Sequence, residues 1–425
     1  DFCLSRGLGD VYKRQVRAFV ENYVETSPPG KKNYVDFGPV NTVVSSNFID
    51  KVRFRASAQT TANLSPHLFL KGYAAYGVRD KKWKYEGEVE YSFLKKQYSP
   101  EEFPRNSIAI STRYDVMAPS DAMLPTDKDN VFTSLKTQTI DQMSYFRQYN
   151  IRYVYEFDNH FGITAQLRHI TQNPTGTLFY RTLGGQIVPE LTQSEATLSL
   201  RYAPGEKVVV TKQRRHPVNH NYPIYTLMHT TGFKDVLGGD YASNYTELSV
   251  TKRFWLNSYG RIDIYGRAGA QWNRVPFPLL ITPAANNSYI IQRSMFNMIN
   301  NMEFMNDRFV SLDVQWDLSG KLFNRIPLLK HLKWREVIGF KTLYGTLTDK
   351  NNPFKQGNQS DLFEFPSRNG QPTSFVMGDT PYMELNVGIH NIFKILRVDY
   401  VRRLNYLNAP NAKKNGVRFV LQFDF

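Results

Sequence analysis

From about residue 34 to the end of the chain, apolar and polar residues alternate in many separate segments. The clearest segment is WKYEGEVEYSF at 83–93. One side carries Trp83, Tyr85, Gly87, Val89, Tyr91 and Phe93, and the other side carries Lys84, Glu86, Glu88, Glu90 and Ser92. A period of two is typical of a β-strand, because successive side chains of a strand point to opposite faces. Each such segment is therefore predicted to be a strand with one apolar face and one charged face.

About sixteen segments show this alternation. They are predicted as strands near 36–46, 51–62, 67–78, 82–94, 106–116, 144–158, 161–173, 193–203, 223–233, 244–256, 260–273, 308–318, 334–346, 381–391, 395–407 and 416–425. The number is even, and most segments have the roughly 9 to 11 residues that a tilted strand needs to cross a bilayer. The pattern predicts an all-β fold, a transmembrane antiparallel β-barrel of about sixteen strands over residues 34–425.

Two other fold classes fit the sequence less well. A helical membrane protein is excluded because no stretch approaches about 18 consecutive apolar residues, and the mean hydropathy is −0.46. A soluble β-sandwich or propeller would favour aliphatic residues on its buried faces, whereas Tyr, Trp and Phe lie near the strand ends here, as in the aromatic girdle of a membrane barrel. With one cysteine, Cys3, a disulfide framework is also excluded.

The connections between the predicted strands alternate in length. The four longest, 117–143, 174–192, 274–307 and 347–380, all fall on one side of the barrel, which is the external side of such proteins. Two inner connections, 204–222 and 319–333, are longer than this rule predicts, and we interpret them as exceptions or as functional elements. Within the second, Pro327 opens either a short amphipathic helix or an irregular turn.

The chain ends in VRFVLQFDF, in which Val417, Phe419, Leu421, Phe423 and Phe425 form one apolar file. This segment resembles the carboxy-terminal targeting strand of outer-membrane barrels, which the barrel-assembly machinery recognises by pairing with an exposed strand edge. The resemblance implies a location in the bacterial outer membrane.

Several longer segments resemble a Bacteroidota family of outer-membrane proteins. They are GIHNIFKILRVDYVRRLNYLNAP at 388–410, the final strand, FNMINNMEFMNDRFVSL at 296–312, LFNRIPLLKHLKWREVIGFKTLYG at 322–345 and FLKGYAAYGVRDKKWKYEGEVEYSF at 69–93. The resemblance implies an amino-terminal carboxypeptidase-regulatory-like domain followed by a carboxy-terminal barrel. The 388–404 segment is also distantly similar to the surface-antigen barrels that insert or translocate other proteins. Those barrels carry an Arg-Gly-aromatic motif in the long loop before strand twelve, where this chain has Arg293 in QRSMF without the glycine.

The first 33 residues do not fit the barrel pattern. Residues 1–15, DFCLSRGLGDVYKRQ, resemble a translated sequencing-adaptor artefact, and residues 16–33 are predicted to be a linker on their Pro, Gly and Lys content. We therefore expect a fragment whose upstream domains are missing.

The net charge of +15 is unevenly placed along the chain. The strand pattern predicts lumen-facing charges that pair across strands, for example with Arg113; they are Lys84, Glu86, Glu88, Glu90, Arg261, Asp263, Arg267 and Asp313. The two long inner connections predict a basic periplasmic rim of Arg214, Arg215, Arg325, Lys330 and Lys333. Such a rim attracts acidic partner domains, anionic lipid head groups or anionic substrates, or serves only orientation and solubility.

No catalytic, cofactor or metal site is predicted from the sequence. The glutamates at 86–90 fit a lumen-facing ladder, and Pro217 disfavours the helix that would align His216 with His220 as metal ligands. The basic residues are not clustered with stacking aromatics, which argues against nucleic acid.

Three functions stay open at this point. The first is a non-enzymatic barrel that handles or anchors polypeptide, with outer-membrane lipid, the assembly machinery and a periplasmic polypeptide or upstream domain as partners. The second is a solute channel or a TonB-dependent-type receptor barrel, and the third is an outer-membrane hydrolase.

Overall fold

The computed structural model describes residues 21–421, except residues 29, 126, 214, 218–220, 356 and 358–361. Eighteen strands form one antiparallel sheet. They are β1 (Val24–Glu25), β2 (Val35–Phe37), β3 (Val44–Ser45), β4 (Arg53–Thr60), β5 (Leu68–Gly77), β6 (Trp83–Ser92), β7 (Asn106–Met117), β8 (Gln142–Glu156), β9 (Phe161–Gly176), β10 (Leu191–Tyr202), β11 (Ile224–Gly232), β12 (Ser243–Trp255), β13 (Arg261–Gln271), β14 (Arg308–Asp317), β15 (Arg335–Thr346), β16 (Tyr382–Ile392), β17 (Leu396–Arg403) and β18 (Asn415–Leu421). The prediction of an all-β antiparallel fold is confirmed.

The strands follow one another in the sheet in the order of the sequence. From β4 to β18, each strand pairs antiparallel with the next. Both β2 and β3 pair with β4, at Val35–Thr60 and at Val44–Phe54, so the two form one strand position interrupted by a 3₁₀ turn. The sheet thus has sixteen successive strand positions, and β1 adds to the edge of β2.

The apolar face of the sheet is exposed and the charged face is buried. On the outer face, Trp83, Ile110 and Val310 are 65, 59 and 60% exposed. On the opposite face, which we call the interior face, Lys84 and Lys341 are 0 and 4% exposed. A soluble protein has the reverse arrangement, so the outer face fits a hydrocarbon surrounding rather than water.

The sheet curves around its charged face. Arg53 of β4 lies 2.7 Å from Asp115 of β7, and Arg397 of β17 donates to Gln315 of β14 over 3.2 Å. Both pairs join strands that are three positions apart, which a flat sheet would separate by about 14 Å. The interior face is therefore concave, as in a barrel.

The connections define two ends of the sheet. The long-loop end carries the connections 118–141, 177–190, 272–307 and 347–381, and the short-turn end carries tight turns such as Asn257–Tyr259. Apolar side chains from the long connections pack together with strand residues in clusters that include Phe304, Met305 and Phe363. These clusters are hydrophobic cores in the usual sense, and they lie at the long-loop end.

Two long connections lie at the short-turn end, as the sequence predicted. The connection 203–223 contains a small hairpin of Val208–Val210 with Arg215–Pro217. The connection 318–334 contains a 3₁₀ turn and the helix α1 (Pro327–Leu332), so the helical alternative for this segment is the one observed. None of the helices in the described part of the chain is long and apolar enough to cross a membrane.

The described chain begins inside the range predicted as a linker. There, β1 pairs with Asp36 and Phe37 of β2, and Val40 donates its amide to the Asn22 carbonyl over 2.8 Å. The residues predicted as adaptor-like, 1–15, lie outside the described residues.

Candidate functional site

Each predicted lumen-facing charge lies on the interior face next to an opposite charge. The pairs are Lys84 with Asp50 and Asp80, Glu86 with Arg113, Glu88 with Arg152, Glu90 with Arg105, Arg261 with Asp317, Asp263 with Arg253, Arg267 with Glu247, and Asp313 with Lys341. Most partners come from the neighbouring strand, where antiparallel pairing brings side chains of one face together. These charges therefore form a wall of ion pairs.

The largest buried charge cluster joins β4 to the connection 118–141. The side chain of Arg53 has no solvent exposure, and its guanidinium lies 2.7 Å from Asp115, 3.0 Å from Asp129 and 3.3 Å from Asp50. Burial on its own would raise the pKa of the Asp129 carboxyl, but Lys128 and Arg53 hold it below its usual value. The cluster fixes a long connection against the interior face.

The connection 272–307 also docks on the interior face. The carboxylate of Glu384, in β16, accepts the backbone amides of Asn297 and Met298 over 2.9 and 3.0 Å. Lys341, in β15, donates to the Met295 carbonyl over 2.6 Å, and Arg418, in β18, donates to the Asn297 carbonyl. Three charged wall residues thus hold the backbone of this connection inside the curved sheet.

A buried ion pair adds to this anchoring. Glu303 of the same connection meets Arg403 at the end of β17, with nitrogen–oxygen distances of 2.6 and 3.1 Å. The two side chains are 1 and 0% exposed. Two parallel charge-assisted hydrogen bonds fix direction as well as distance.

A cavity of about 290 Å³ lies beside the docked connection. Its wall comes from seven successive strands, β11 to β17, near their short-turn ends, and Tyr222 of the connection 203–223 lies at its rim. Gln292, Arg293 and Ser294 of the connection 272–307 also line it. This cavity is the candidate binding site of the described chain.

Arg293 is the prominent charge of the cavity. Its side chain is exposed to this space, and within the described residues it forms no ion pair. Burial among protein atoms lowers the pKa of the Arg293 guanidinium, and the nearby charges of Arg397, Arg253 and Arg261 lower it further, against the attraction of Asp263. A guanidinium nevertheless stays protonated at physiological pH, so the cavity keeps an excess of positive charge.

The edge of β18 is covered by a loop rather than by a strand of the sheet. Ile291 donates its amide to the Phe419 carbonyl, and Phe419 donates its amide to the Tyr289 carbonyl, both over 2.9 Å. The pairing is parallel, and the rings of Tyr289 and Phe419 stack with centroids 6.4 Å apart. Among the described residues, no backbone pairing joins β18 to β2 or β3. We call the junction between β18 and this loop segment the seam.

The same loop segment continues the seam toward the first strand position. Tyr289 donates its amide to the Leu135 carbonyl over 2.9 Å, and Thr137 donates to the Asn287 carbonyl over 2.8 Å. Val131 of that second loop donates to the Asn41 carbonyl, next to β2, over 2.8 Å. Two loop segments therefore lie between the last and the first strand and satisfy backbone groups that would otherwise face lipid.

The connection 203–223 reaches across the short-turn end. Although it joins β10 to β11, its Gln213 donates to Asp36 of β2 over 2.7 Å and accepts from Gln59 of β4 over 2.7 Å. Lys212 pairs with Glu25 of β1 at 2.6 Å. In the order of the sheet, β10 lies seven positions from β2 and six from β4, so the connection spans the opening.

The predicted basic rim divides into two groups. Arg215 lies 2.9 Å from Glu156 and is largely neutralised by it, whereas Arg214 lies outside the described residues. Arg325, Lys330 and Lys333, around α1, are exposed and form no ion pair with any described residue. The uncompensated charge of this rim therefore lies around α1.

The remaining predicted residues lie at the chain end and in the small hairpin. Val417, Phe419 and Leu421 lie on β18, where Val417 and Leu421 are exposed on the outer face. Phe423 and Phe425 lie outside the described residues, as does His220, the predicted neighbour of His216.

Sequence reasoning missed the residues that dock the long connections. Glu384, Lys341, Glu303 and Arg403 were not singled out, although each is a charged residue in or beside an apolar stretch. Such a residue is expensive to bury without a partner, and this is the signal that points to a buried pair.

The curved antiparallel sheet with an exposed apolar face and a charged interior is the architecture of a transmembrane β-barrel. A family model described as the C-terminal domain of a family of unknown function, DUF5686, matches residues 24–354. The chain therefore belongs to this family.

Two solved structures are similar to this chain. The crystal structure of BamA from Haemophilus ducreyi lacking POTRA domains 1–3 is similar with a TM-score of 0.53 and 9% identity, over 92% of this chain and 71% of that one. CdiB from Acinetobacter baumannii has a TM-score of 0.42 and 11% identity, over 88% of this chain and 57% of that one. At 9% identity the likeness to BamA concerns the fold alone. A search of the curated proteins finds no match.

Proposed function

We propose that this chain is the barrel domain of a bacterial outer-membrane protein and that it handles or anchors polypeptide without chemistry of its own. The exposed apolar face and the fold shared with BamA support the outer-membrane location. The lumen-facing charges then line the barrel interior, the basic rim lies in the periplasm, and the file that begins at Val417 is the targeting strand.

The seam is the observation that carries the proposal. Two backbone hydrogen bonds hold the loop segment 289–291 to β18, and such bonds contribute only about 0.5–1.5 kcal/mol each. A strand edge that is covered so weakly can exchange its cover for an extended polypeptide, which adds to the edge by the same hydrogen bonds. The partner is then a polypeptide in the periplasm or in the membrane.

Further partners follow from the sequence resemblance. In the similar Bacteroidota family, an amino-terminal carboxypeptidase-regulatory-like domain precedes the barrel, and we propose such an upstream domain over the basic rim. Outer-membrane lipid surrounds the outer face, and the barrel-assembly machinery inserts the chain during biogenesis. The similarity to surface-antigen barrels supports polypeptide handling over the channel, receptor and hydrolase alternatives.

The test locks the seam and measures polypeptide contact beside it. A disulfide between Ile290→Cys and Phe419→Cys, which lie opposite each other in the parallel pairing, is introduced with Cys3→Ser. A photo-crosslinking amino acid at Val417 is expected to form polypeptide adducts in cells when the disulfide is reduced and to lose them when it is oxidised.

The matched control places the same photo-crosslinker at Val310. This residue is exposed on the outer face by 60%, against 50% for Val417, but its strand, β14, is paired on both edges. Adducts at Val417 that are no more frequent than those at Val310, or that persist when the disulfide is closed, would contradict the proposal.

A further inference from the structure

The acidic residues of the interior cavity are all neutralised by the wall. Asp263 lies 2.5 Å from Arg253, Asp313 lies 3.0 Å from Lys341, and Asp317 lies 3.2 Å from Arg261. The fourth acid, Asp399, lies 2.6 Å from Arg397. Each acid therefore has its own basic partner, and no carboxylate is left to balance a further cation.

One cation of the cavity remains without an acid. Five basic side chains of the interior face and the docked connection line it against four acids, which leaves a formal charge of +1 with histidine neutral. The fifth base, Arg293, has no hydrogen-bond or ion-pair partner among the residues that the structure describes. Positive charge without a counter-ion in a partly enclosed space attracts anions strongly, because screening by water is reduced there.

The backbone on the C-terminal side of Arg293 is fixed before any ligand arrives. Lys341 holds the carbonyl of Met295, and Glu384 holds the amides of Asn297 and Met298. A ligand therefore does not have to order this segment, which removes an entropic cost of binding. An arginine with no partner is thus presented to the cavity from a backbone that is anchored on its C-terminal side.

We propose that this cavity is a binding site for a small free anion that carries a phosphate or carboxylate group. The planar guanidinium of Arg293 matches the two oxygens of such a group in a bidentate contact. The polar wall suits a small anion rather than a lipid chain. The cavity lies at the short-turn ends of its strands, so the anion enters from that end. This site does not depend on polypeptide handling at the seam.

The test uses inorganic phosphate as the probe and the full chain in detergent micelles. On gels, the temperature at which the folded form is lost is expected to rise with phosphate, and not with chloride at equal ionic strength. In Arg293→Gln, the phosphate concentration for half of the effect should increase at least about tenfold, since the charge-assisted bidentate contact is lost. In Arg293→Lys, this phosphate concentration should lie between those of the wild type and Arg293→Gln, because lysine keeps the positive charge but not the planar pair of N–H donors.

Controls separate binding from folding and from lipid contact. Arg274→Gln removes the same charge from the same connection but does not line the cavity, so its phosphate response should equal that of the wild type. Lys252→Gln removes a positive charge from the outer face of a wall strand, where Lys252 lies opposite Ile264, so its phosphate response should also equal that of the wild type. Phosphatidylglycerol vesicles should not compete with free phosphate. An equal response in Arg293→Gln and wild type, no response beyond that to chloride, or competition by the vesicles would overturn the proposal.

Discussion

The ion pair between Glu303 and Arg403 allows a sharp prediction for the docking of the connection 272–307. Replacement of Glu303 by glutamine leaves the Arg403 guanidinium buried without a counter-charge. Removal of one partner of a buried pair costs about 3–5 kcal/mol. Arg403 keeps three backbone carbonyl acceptors, those of Met298, Asn405 and Tyr406. We therefore expect the lower value, about 3 kcal/mol.

This free energy acts on the equilibrium between the docked and the undocked connection. At 1.4 kcal/mol for each factor of ten, the undocked fraction should increase about a hundredfold in Glu303→Gln. Limited proteolysis of the connection in lipid vesicles measures this fraction, because the cleavage rate follows the open population when opening and closing are fast.

The matched control is Glu364→Gln, in the connection 347–381. Glu364 lies 3.5 Å from Arg181, and both side chains are 41% exposed, so this pair contributes at most about 1 kcal/mol. The cleavage rate of the control should stay close to that of the wild type. A cleavage rate for Glu303→Gln within about threefold of the wild type would refute the reasoning, since it would correspond to well under 1 kcal/mol.

Four further predictions concern other parts of the barrel. Arg53→Met leaves Asp50, Asp115 and Asp129 without their shared cation and should reduce the free energy of unfolding in urea by about 3–5 kcal/mol. A reduction below about 1 kcal/mol would contradict a stabilising role of this charge cluster. Burial alone would raise the pKa of the Glu206 carboxyl, but hydrogen bonds from Arg201 hold it below 4.5. The ionised Glu206 carboxylate therefore stabilises the folded connection 203–223 above pH 4.5, and this stabilisation is lost as the pH falls below that value. The connection should become protease-sensitive in acid, and Glu206→Gln should remove this pH dependence. Gly260 has φ +79°, and a Cβ there would lie 1.9 Å from the Asp317 carbonyl oxygen. Gly260→Ala should therefore lower the gel melting temperature. The control Gly185→Ala has φ +85° and open space around it, so it should reduce the free energy of unfolding by only about 1–2 kcal/mol. Because long connections pack at one end and the connection 203–223 spans the other, we expect almost no single-channel current in a planar bilayer, and a steady open-pore current would favour the channel alternative.

The strands could be predicted from the sequence because lipid and interior impose opposite demands on neighbouring side chains. The segment predicted at 308–318 is the strand Arg308–Asp317, and that predicted at 106–116 is Asn106–Met117. The prediction that β17 continues to residue 407 is wrong, since the strand ends four residues earlier. The strand ends at Arg403 because its guanidinium turns back to the carbonyls of Asn405 and Tyr406, and alternation carries no information on such a contact.

The docked connections could not be predicted in the same way. Glu303 and Arg403 are 100 residues apart, and Asn297 and Glu384 are 87 apart. A period of two places a residue on a face of its own strand, but it does not indicate which distant loop folds back onto that face. The excess charge of the cavity also depends on this docking, because Arg293 reaches the wall only through it.

The distribution of apolar packing indicates where this barrel opens. At the long-loop end, buried side chains such as Phe304, Met305 and Phe363 each contribute about 1.5–3 kcal/mol, so lifting those connections together costs far more than a single hydrogen bond. At the seam, two backbone hydrogen bonds hold the loop segment to β18, and each contributes about 0.5–1.5 kcal/mol. A polypeptide that pairs with the edge of β18 replaces those bonds with its own, so the net cost of opening there is small. We therefore expect function to act through the seam and the short-turn end, with the long-loop end as the rigid part of the molecule.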